Sequence, residues 1–347
     1  MLSSQLHHCQ TMYQLEEGKI IDEIRKRGSR RVLLQMPEGL KPVGFQLAKL
    51  IEKAARVEVF VSGDPCYGAC DLALNPKKHV QADLLIHLGH AEIPGEFPDE
   101  NVLYVEARSD VSIEVPMTLA AKMLAEEHRI GLASNVQHIH QLPHAKEILE
   151  ENGKEVIIGR ASGWLKYPGQ VLGCDYGSVR AISDKADAIV VLSGGDFHAL
   201  GIPLATGKRT IVVDPFQQTA TDMSETCRRL LRKRWANIEM FKKAKNIGII
   251  VGLKSSQMNI ALARRLKDLL EGNGQLTILI SASEVIPESL ESFTDLEAYV
   301  EISCPRISTD DQERYRKPIL NPEEVMIALG KKDWDNYTKG MTLEEWH

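Results

Sequence analysis

Residues 31–61, RVLLQMPEGLKPVGFQLAKLIEKAARVEVFV, contain the pattern that decides the fold. Residues 31–36 are a short apolar run rich in branched side chains, which is typical of a buried parallel strand. Apolar residues at helical spacing follow over residues 44–53, and residues 57–61 return to a strand pattern. Two strand patterns joined by a helix pattern indicate a βαβ unit, in which both strands run parallel.

The same order of patterns recurs twice further along the chain. Each recurrence consists of a strand, a helix and a strand, at residues 129–133, 141–151 and 156–159 and then at residues 247–253, 258–270 and 276–280. Additional strand patterns occur at residues 84–88, 102–105, 188–192, 210–213 and 299–303. We therefore predict three similar α/β domains with parallel sheets, arranged about a pseudo-threefold centre and spanning residues 1–108, 109–218 and 219–347.

The composition is that of an ordinary globular protein. The 347 residues are 43% hydrophobic and 26% charged, and the longest apolar runs are far shorter than a membrane span. The first ten residues lack the basic and apolar regions of a secretory signal. A net charge of −6 argues against a general nucleic-acid binder. Six cysteines are too few for a disulfide scaffold, so we expect a reducing, cytoplasmic location without membrane attachment.

One cysteine-bearing loop follows a strand pattern in each predicted domain. These loops are GDPCYGACD at residues 63–71, GQVLGCD at 169–175 and EISCPR at 301–306. Sites in parallel sheets form at the carboxyl ends of the strands, so the three loops could converge on one point. Cys304 follows the third strand pattern of its domain, whereas the other two loops follow the second. Cys9 and Cys227 lack such a setting and are interpreted as ordinary cysteines.

The cysteine spacing leaves two kinds of metal site open. Structural zinc needs four ligands, usually in close pairs; Cys66 and Cys70 form one such pair, which His79 or His87 could complete. A 4Fe–4S cluster accepts three thiolates and leaves one iron open to a substrate. The compact C-x3-C-x2-C loop of common radical enzymes is excluded, because Ala73 stands where that motif has its third cysteine. The remaining iron–sulfur hypothesis is a dispersed site that draws one cysteine from each domain.

Four motifs together resemble the archaeal diphthamide synthase family, which carries out the first diphthamide step. They are LQMPEGL at residues 34–40, the segment at 64–71 with its YGACD core, GQVLGC at 169–174 and SCPR at 303–306. The resemblance covers about residues 12–330. Cys66 is an addition to the YGAC core, so it could replace or assist Cys70.

The resemblance implies a specific activity and cofactor. Family members are homodimers of three-domain α/β subunits that bind a 4Fe–4S cluster and use S-adenosylmethionine in a radical reaction. They transfer its 3-amino-3-carboxypropyl group to the imidazole C2 of a histidine in elongation factor 2, and they need an electron donor. By motif match the cluster ligands are Cys70, Cys174 and Cys304.

Polar residues in the loops that follow strand patterns are candidates for binding S-adenosylmethionine. Paired glycines after the strand pattern at 188–192 allow close backbone approach to a ligand. Ordinary turn formation would explain the same residue types equally well. The candidates are Gln35, Glu38, Gly194, Gly195, Asp196, His198, Asp214, Ser255 and Gln257.

Two other functions are open alternatives. One is a hydro-lyase resembling quinolinate synthase, which also combines three domains with a three-cysteine cluster; the other is a zinc-stabilised binding module. The motifs around Cys70 and Cys304 favour the transferase over the hydro-lyase.

Two further segments carry predictions about surfaces. A helical run contains five basic residues, interpreted as a solvated face that could also guide an acidic partner: Arg228, Arg229, Arg232, Lys233 and Arg234. The last residues include Trp334, Tyr337 and Trp346, which we expect to pin the tail onto another surface.

Overall fold

The computed structural model describes residues 12–95, 101–254 and 256–337. Three separate sheets contain four, five and four strands. Among the described residues, no helix is both long and apolar enough to cross a membrane.

The first domain is built on a sheet of parallel strands. Its elements are α1 (Glu17–Arg27), β1 (Arg31–Gln35), α2 (Lys41–Ala55), β2 (Glu58–Val61), α3 (Leu74–His79), β3 (Leu84–Leu88) and β4 (Val102–Val105). The strand order is β2-β1-β3-β4. Every residue of β3 is buried, which explains why its sequence is a nearly continuous apolar run.

The second domain has the same order of strands with one addition. Its elements are α4 (Glu114–Met123), β5 (Arg129–Ser134), α5 (Leu142–Glu151), β6 (Glu155–Ile157), α6 (Gly177–Arg180), β7 (Ala188–Leu192), α7 (Gly201–Thr206), β8 (Arg209–Asp214) and β9 (Thr219–Asp222). The order is β6-β5-β7-β8-β9. The edge strand β9 is antiparallel to β8 and lies beyond residue 218, where the sequence suggested a boundary. Its sequence, TATD, has no apolar pattern that could have marked it.

The third domain repeats the arrangement again. Its elements are α8 (Ser224–Phe241), β10 (Asn246–Gly252), α9 (Ile260–Gly272), β11 (Leu276–Ala282), α10 (Pro287–Glu291), β12 (Ala298–Glu301), α11 (Pro305–Thr309), β13 (Ile319–Leu320), α12 (Pro322–Ala328) and α13 (Trp334–Tyr337). The order is β11-β10-β12-β13. The three sheets share one order of strands. In each domain the first strand in sequence lies between the second strand, at the edge of the sheet, and the third strand. The prediction of three similar α/β domains with mostly parallel sheets is confirmed.

Arg234 does not belong to the basic surface predicted for this helical run. Its side chain is 1% exposed, and its Nε donates to Glu324 Oε1 at 2.6 Å. It also donates to the Ser308 carbonyl at 2.6 Å and to Gln312 Oε1 at 2.7 Å. Arg234 therefore ties α8 to the third sheet, because a buried guanidinium needs a full set of acceptors. The other four basic residues of the run are exposed.

The tail is pinned by aromatic contacts as far as Tyr337. The Trp334 ring meets the Trp235 ring edge-on, with centroids 5.1 Å apart, and stacks on Tyr337 at 5.3 Å. The buried Tyr337 hydroxyl donates to Glu324 Oε1 at 2.9 Å. The tail thus packs on α8 and α12 of its own chain. Trp346 lies outside the described residues.

We predict that Arg234→Ala lowers the free energy of unfolding by about 3–5 kcal/mol, because it leaves the Glu324 carboxylate buried without its cation. Urea unfolding followed by circular dichroism measures the change. The matched control is Arg232→Ala on the same helix, which is exposed and should change stability by less than about 0.5 kcal/mol. Equal effects of the two substitutions would contradict this role of Arg234.

Candidate functional site

Three cysteines, one from each domain, meet at the carboxyl ends of the sheets. Charge on Cys70 or Cys304 would raise the pKa of Cys174, and charge on Cys70 would raise the pKa of Cys304, so each thiol lies within electrostatic range of the other two. Burial is the largest cause in each case, and it raises the pKa of Cys304 to about 12. All three are free thiols. Thiolates at this point would need a nearby positive charge, which a bound metal supplies.

The loop that carries Cys70 is held from both sides. Gln35, at the end of β1, donates from Nε2 to the Asp71 carbonyl at 2.6 Å and accepts from the Ala73 N–H at 3.0 Å. From the third domain, the Ser256 hydroxyl donates to the Cys70 carbonyl at 2.6 Å. Gln257 Nε2 donates to Cys70 Sγ at 3.7 Å. The position of the Cys70 thiol is therefore fixed by two domains.

Lys254 forms the ionic link between these two domains. Its Nζ lies 2.7 Å from Asp71 Oδ2 and 2.8 Å from Glu284 Oε1, and 4.4 Å from the centroid of the Tyr67 ring. Burial alone would lower the pKa of Lys254, but the hydrogen bonds to the two carboxylates outweigh burial and raise it. Lys254 stays charged and anchors the first loop to the third domain.

The loop that carries Cys174 is shaped by close packing. A Cβ at Gly173 would lie 2.5 Å from the Phe197 ring, so a larger residue there would displace that ring. Arg306, from the SCPR motif of the third domain, lies with its guanidinium carbon 4.2 Å from the Phe197 ring centroid and donates to the Phe197 carbonyl at 2.8 Å. Arg306 therefore joins the second and third cysteine loops.

The loop that carries Cys304 starts from a buried carboxyl group. Glu301 Oε2 accepts from the Ser303 N–H and the Cys304 N–H, both at 3.1 Å. Burial raises the pKa of Glu301 to about 8, so the carboxyl group is largely protonated at neutral pH. Strand β12 ends at Glu301, and the predicted strand was too long at this end. The sequence analysis missed Glu301, although a glutamate in the strand AYVE was a usable signal.

Two predicted S-adenosylmethionine contacts from the first domain lie in different settings. Gln35 is 3% exposed, and its amide is fully engaged with the Cys70 loop and His87. Glu38 lies at the surface, where it pairs with Lys41 at 2.6 Å. Gln257 faces the Cys70 thiol, whereas Ser255 lies outside the described residues.

The predicted contacts from the second domain lie together. Asp214 accepts from the Gly195 N–H at 2.9 Å and from two further backbone N–H groups, so it shapes the loop. Gly195 has φ +70°, a conformation that favours glycine. The loop also contains Gly194, the exposed Asp196 and the half-buried His198, whose Nδ1 lies 3.2 Å from Ser193 Oγ.

His90 lies near this loop and was not predicted. Burial, followed by the charge of Arg306 and by His90, lowers the pKa of His198 to about 3. Burial also lowers the pKa of His90 to about 4. Both imidazoles are therefore neutral at physiological pH. Their contacts span domains, so sequence spacing alone could not pair them.

Comparisons with known proteins are consistent with this geometry. A family model described as putative diphthamide synthesis protein matches residues 36–338. A 2-(3-amino-3-carboxypropyl)histidine synthase of Pyrococcus horikoshii is 38% identical over 93% of this chain and 92% of its own length. Subunit 1 of the Gallus gallus synthase is 30% identical over 93% of this chain and 78% of its own length. A crystal structure of Dph2 from Pyrococcus horikoshii with a 4Fe-4S cluster superposes with a TM-score of 0.84 at 38% identity, covering 92% of each chain.

We predict that Lys254→Met raises the amide hydrogen-exchange rate of residues 63–73 by about tenfold or more, because hydrogen bonds to charged groups contribute about 1.5–3 kcal/mol. Mass spectrometry of peptides from this loop measures the rate. The control is Lys49→Met, which removes an exposed pair with Glu52 and should leave the loop unchanged. Unchanged exchange in Lys254→Met would show that the ionic link does not hold the loop.

Proposed function

The chain belongs to the diphthamide synthesis protein family, and we propose from this that it transfers the 3-amino-3-carboxypropyl group of S-adenosylmethionine to the imidazole C2 of a histidine in elongation factor 2. The reaction is the first step of diphthamide biosynthesis. The observation that carries the proposal is that contacts between domains link three loops, each with a free thiol, in a chain similar along nearly its whole length to a synthase.

We propose that Cys70, Cys174 and Cys304 hold a 4Fe–4S cluster. The residues fit this group in number and chemistry, because three thiols converge and burial opposes their ionisation without a cation. The Gln257 amide adds a hydrogen bond to one of the sulfurs, of the kind that tunes such clusters. Three protein ligands leave one iron free for substrate. When bound and reduced, the cluster would supply an electron to the sulfonium of S-adenosylmethionine.

The residues around the thiols orient the cosubstrate in this proposal. Asp214 holds the Gly194–Gly195 turn, which leaves Asp196 and His198 accessible to a ligand beside the cysteines. Neutral His198 can donate or accept a hydrogen bond there without adding charge. Gln35 and Lys254 act on the ligand indirectly, because their contacts fix the Cys70 loop. The dispersed cysteines allow an orientation of the cosubstrate different from that set by a compact cysteine loop, and the family resemblance implies cleavage at the methionine Cγ.

Membership of the diphthamide synthesis protein family also supports proposals about the partners and the location of this protein. We expect a homodimer, a separate electron donor, elongation factor 2 as the protein substrate and action in the cytoplasm. The comparisons give no support to the hydro-lyase alternative, since the family match extends over residues 36–338.

The experiment that tests this function combines anaerobic protein, S-adenosylmethionine, elongation factor 2 and dithionite. We expect methylthioadenosine as the main nucleoside product and a mass increase of elongation factor 2 by one aminocarboxypropyl group. Mainly 5′-deoxyadenosine would refute cleavage at Cγ. Methylthioadenosine formed equally well without dithionite would point to nucleophilic transfer in place of a radical reaction.

We predict that Cys70→Ala, Cys174→Ala and Cys304→Ala each lower the iron content well below the about four irons per chain of the parent protein, and abolish turnover. Two thiolates are too few to retain the cluster during turnover. Anaerobic iron and sulfide analysis measures occupancy. Cys227→Ala removes a buried thiol of α8 and serves as the control, with iron content unchanged.

The same series tests the part played by Cys66. We expect Cys66→Ala to keep most of the iron and most of the activity. Loss of the cluster in Cys66→Ala together with its retention in Cys70→Ala would show that Cys66 is the ligand in the first domain.

A further inference from the structure

We propose that Cys66, His87 and His90 form a second metal site, separate from the three-cysteine centre, which binds one zinc ion. The thiol and one ring nitrogen of each histidine lie within 4.8 Å of one another. Cys66 is 5% exposed and His87 is fully buried, so these groups are shielded from water. Thiolate and imidazole are the ligands that zinc prefers.

Gln35 fixes the protonation pattern of His87 in the form that a metal requires. Its amide orientation is determined, because Nε2 donates to the Asp71 carbonyl and Oε1 accepts from the Ala73 N–H. The contact of 2.9 Å between His87 Nδ1 and Gln35 Oε1 is then a hydrogen bond donated by Nδ1–H. His87 Nε2 consequently carries a lone pair. A ligating histidine typically donates its second N–H to an oxygen in this way.

The distance between the two imidazoles suits a shared ion. His87 Nε2 lies 3.0 Å from His90 Nδ1. Two nitrogens bound to tetrahedral zinc at about 2.0–2.1 Å are about 3.3 Å apart, so the rings need to move by only a few tenths of an ångström.

A glycine turn places the second histidine beside the first. Gly89 has φ +88°, and its N–H donates to the Val105 carbonyl at 2.7 Å. A Cβ at this position would meet Pro37 at 3.0 Å. The chain bends at the end of β3, and His90 Nδ1 lies 3.0 Å from His87 Nε2. Cys66 reaches the pair from the loop that also carries Cys70.

Zinc binding at this site has a defined proton balance. Cys66 loses its thiol proton to solvent as the zinc–sulfur bond forms. His90 moves its proton from Nδ1 to Nε2, so the histidines release none. The site therefore releases about one proton per zinc, whereas zinc held by three thiols would release about three. Three protein ligands leave a fourth position for water. Bound zinc would also restrain the loop between Cys66 and Cys70.

Zinc K-edge X-ray absorption of the anaerobic protein, loaded with iron and sulfide and then with zinc, tests the site. The edge is specific for zinc, so the iron does not interfere. We expect about one zinc per chain with one sulfur at about 2.3 Å and two nitrogens at about 2.0–2.1 Å. Zinc surrounded by three sulfurs, or no bound zinc, would overturn the proposal. The iron content reports separately on the proposed cluster, so failure of the zinc site and failure of the cluster can be told apart.

Matched variants test the ligands themselves. Cys66→Ser should lose at least nine-tenths of the zinc while iron content stays the same, and Cys227→Ser should keep both. Titration calorimetry in buffers of different ionisation enthalpy should give about one proton released per zinc in the parent protein. Undiminished zinc in Cys66→Ser, or release of about three protons, would contradict the assignment.

Discussion

The structure depends on three half-buried thiols, each in a loop that follows a strand of a different sheet. Burial raises the pKa of Cys70, Cys174 and Cys304 together, so none of them ionises readily without a cation. Each thiol is supplied by a different domain, and a group that binds all three would join the domains. Binding of such a group would therefore be coupled to the arrangement of the domains.

Contacts between domains hold the three cysteine loops together. Lys254 and Ser256 reach from the third domain to the Cys70 loop, and Arg306 reaches to Phe197 over the Cys174 loop. Arg306 belongs to the loop that carries Cys304, whereas Lys254 and Ser256 belong to the loop that follows β10. The third domain thus supplies one of the thiols and also the side chains that hold the Cys70 and Cys174 loops.

Sequence patterns predicted the three domains well, because buried parallel strands such as β3 and β7 are apolar on both faces. They missed β9, whose polar edge sequence carries no such pattern. The motif match selected Cys70, Cys174 and Cys304, and their role as cluster ligands stays a prediction. The sequence analysis placed Arg234 on the surface because its charge suggested exposure. Its hydrogen-bond acceptors, however, are 74 to 90 positions further along the chain. Long-range partners of this kind are set by tertiary structure.

The central claim is that Cys70, Cys174 and Cys304 surround one cluster. The most direct test is a crystal structure of the anaerobic, iron-loaded protein with an anomalous difference map recorded at the iron edge. The account predicts a single compact iron peak between the three thiols, within bonding distance of each. Iron bound by Cys66 in place of Cys70, or a peak that contacts only one domain, would contradict it.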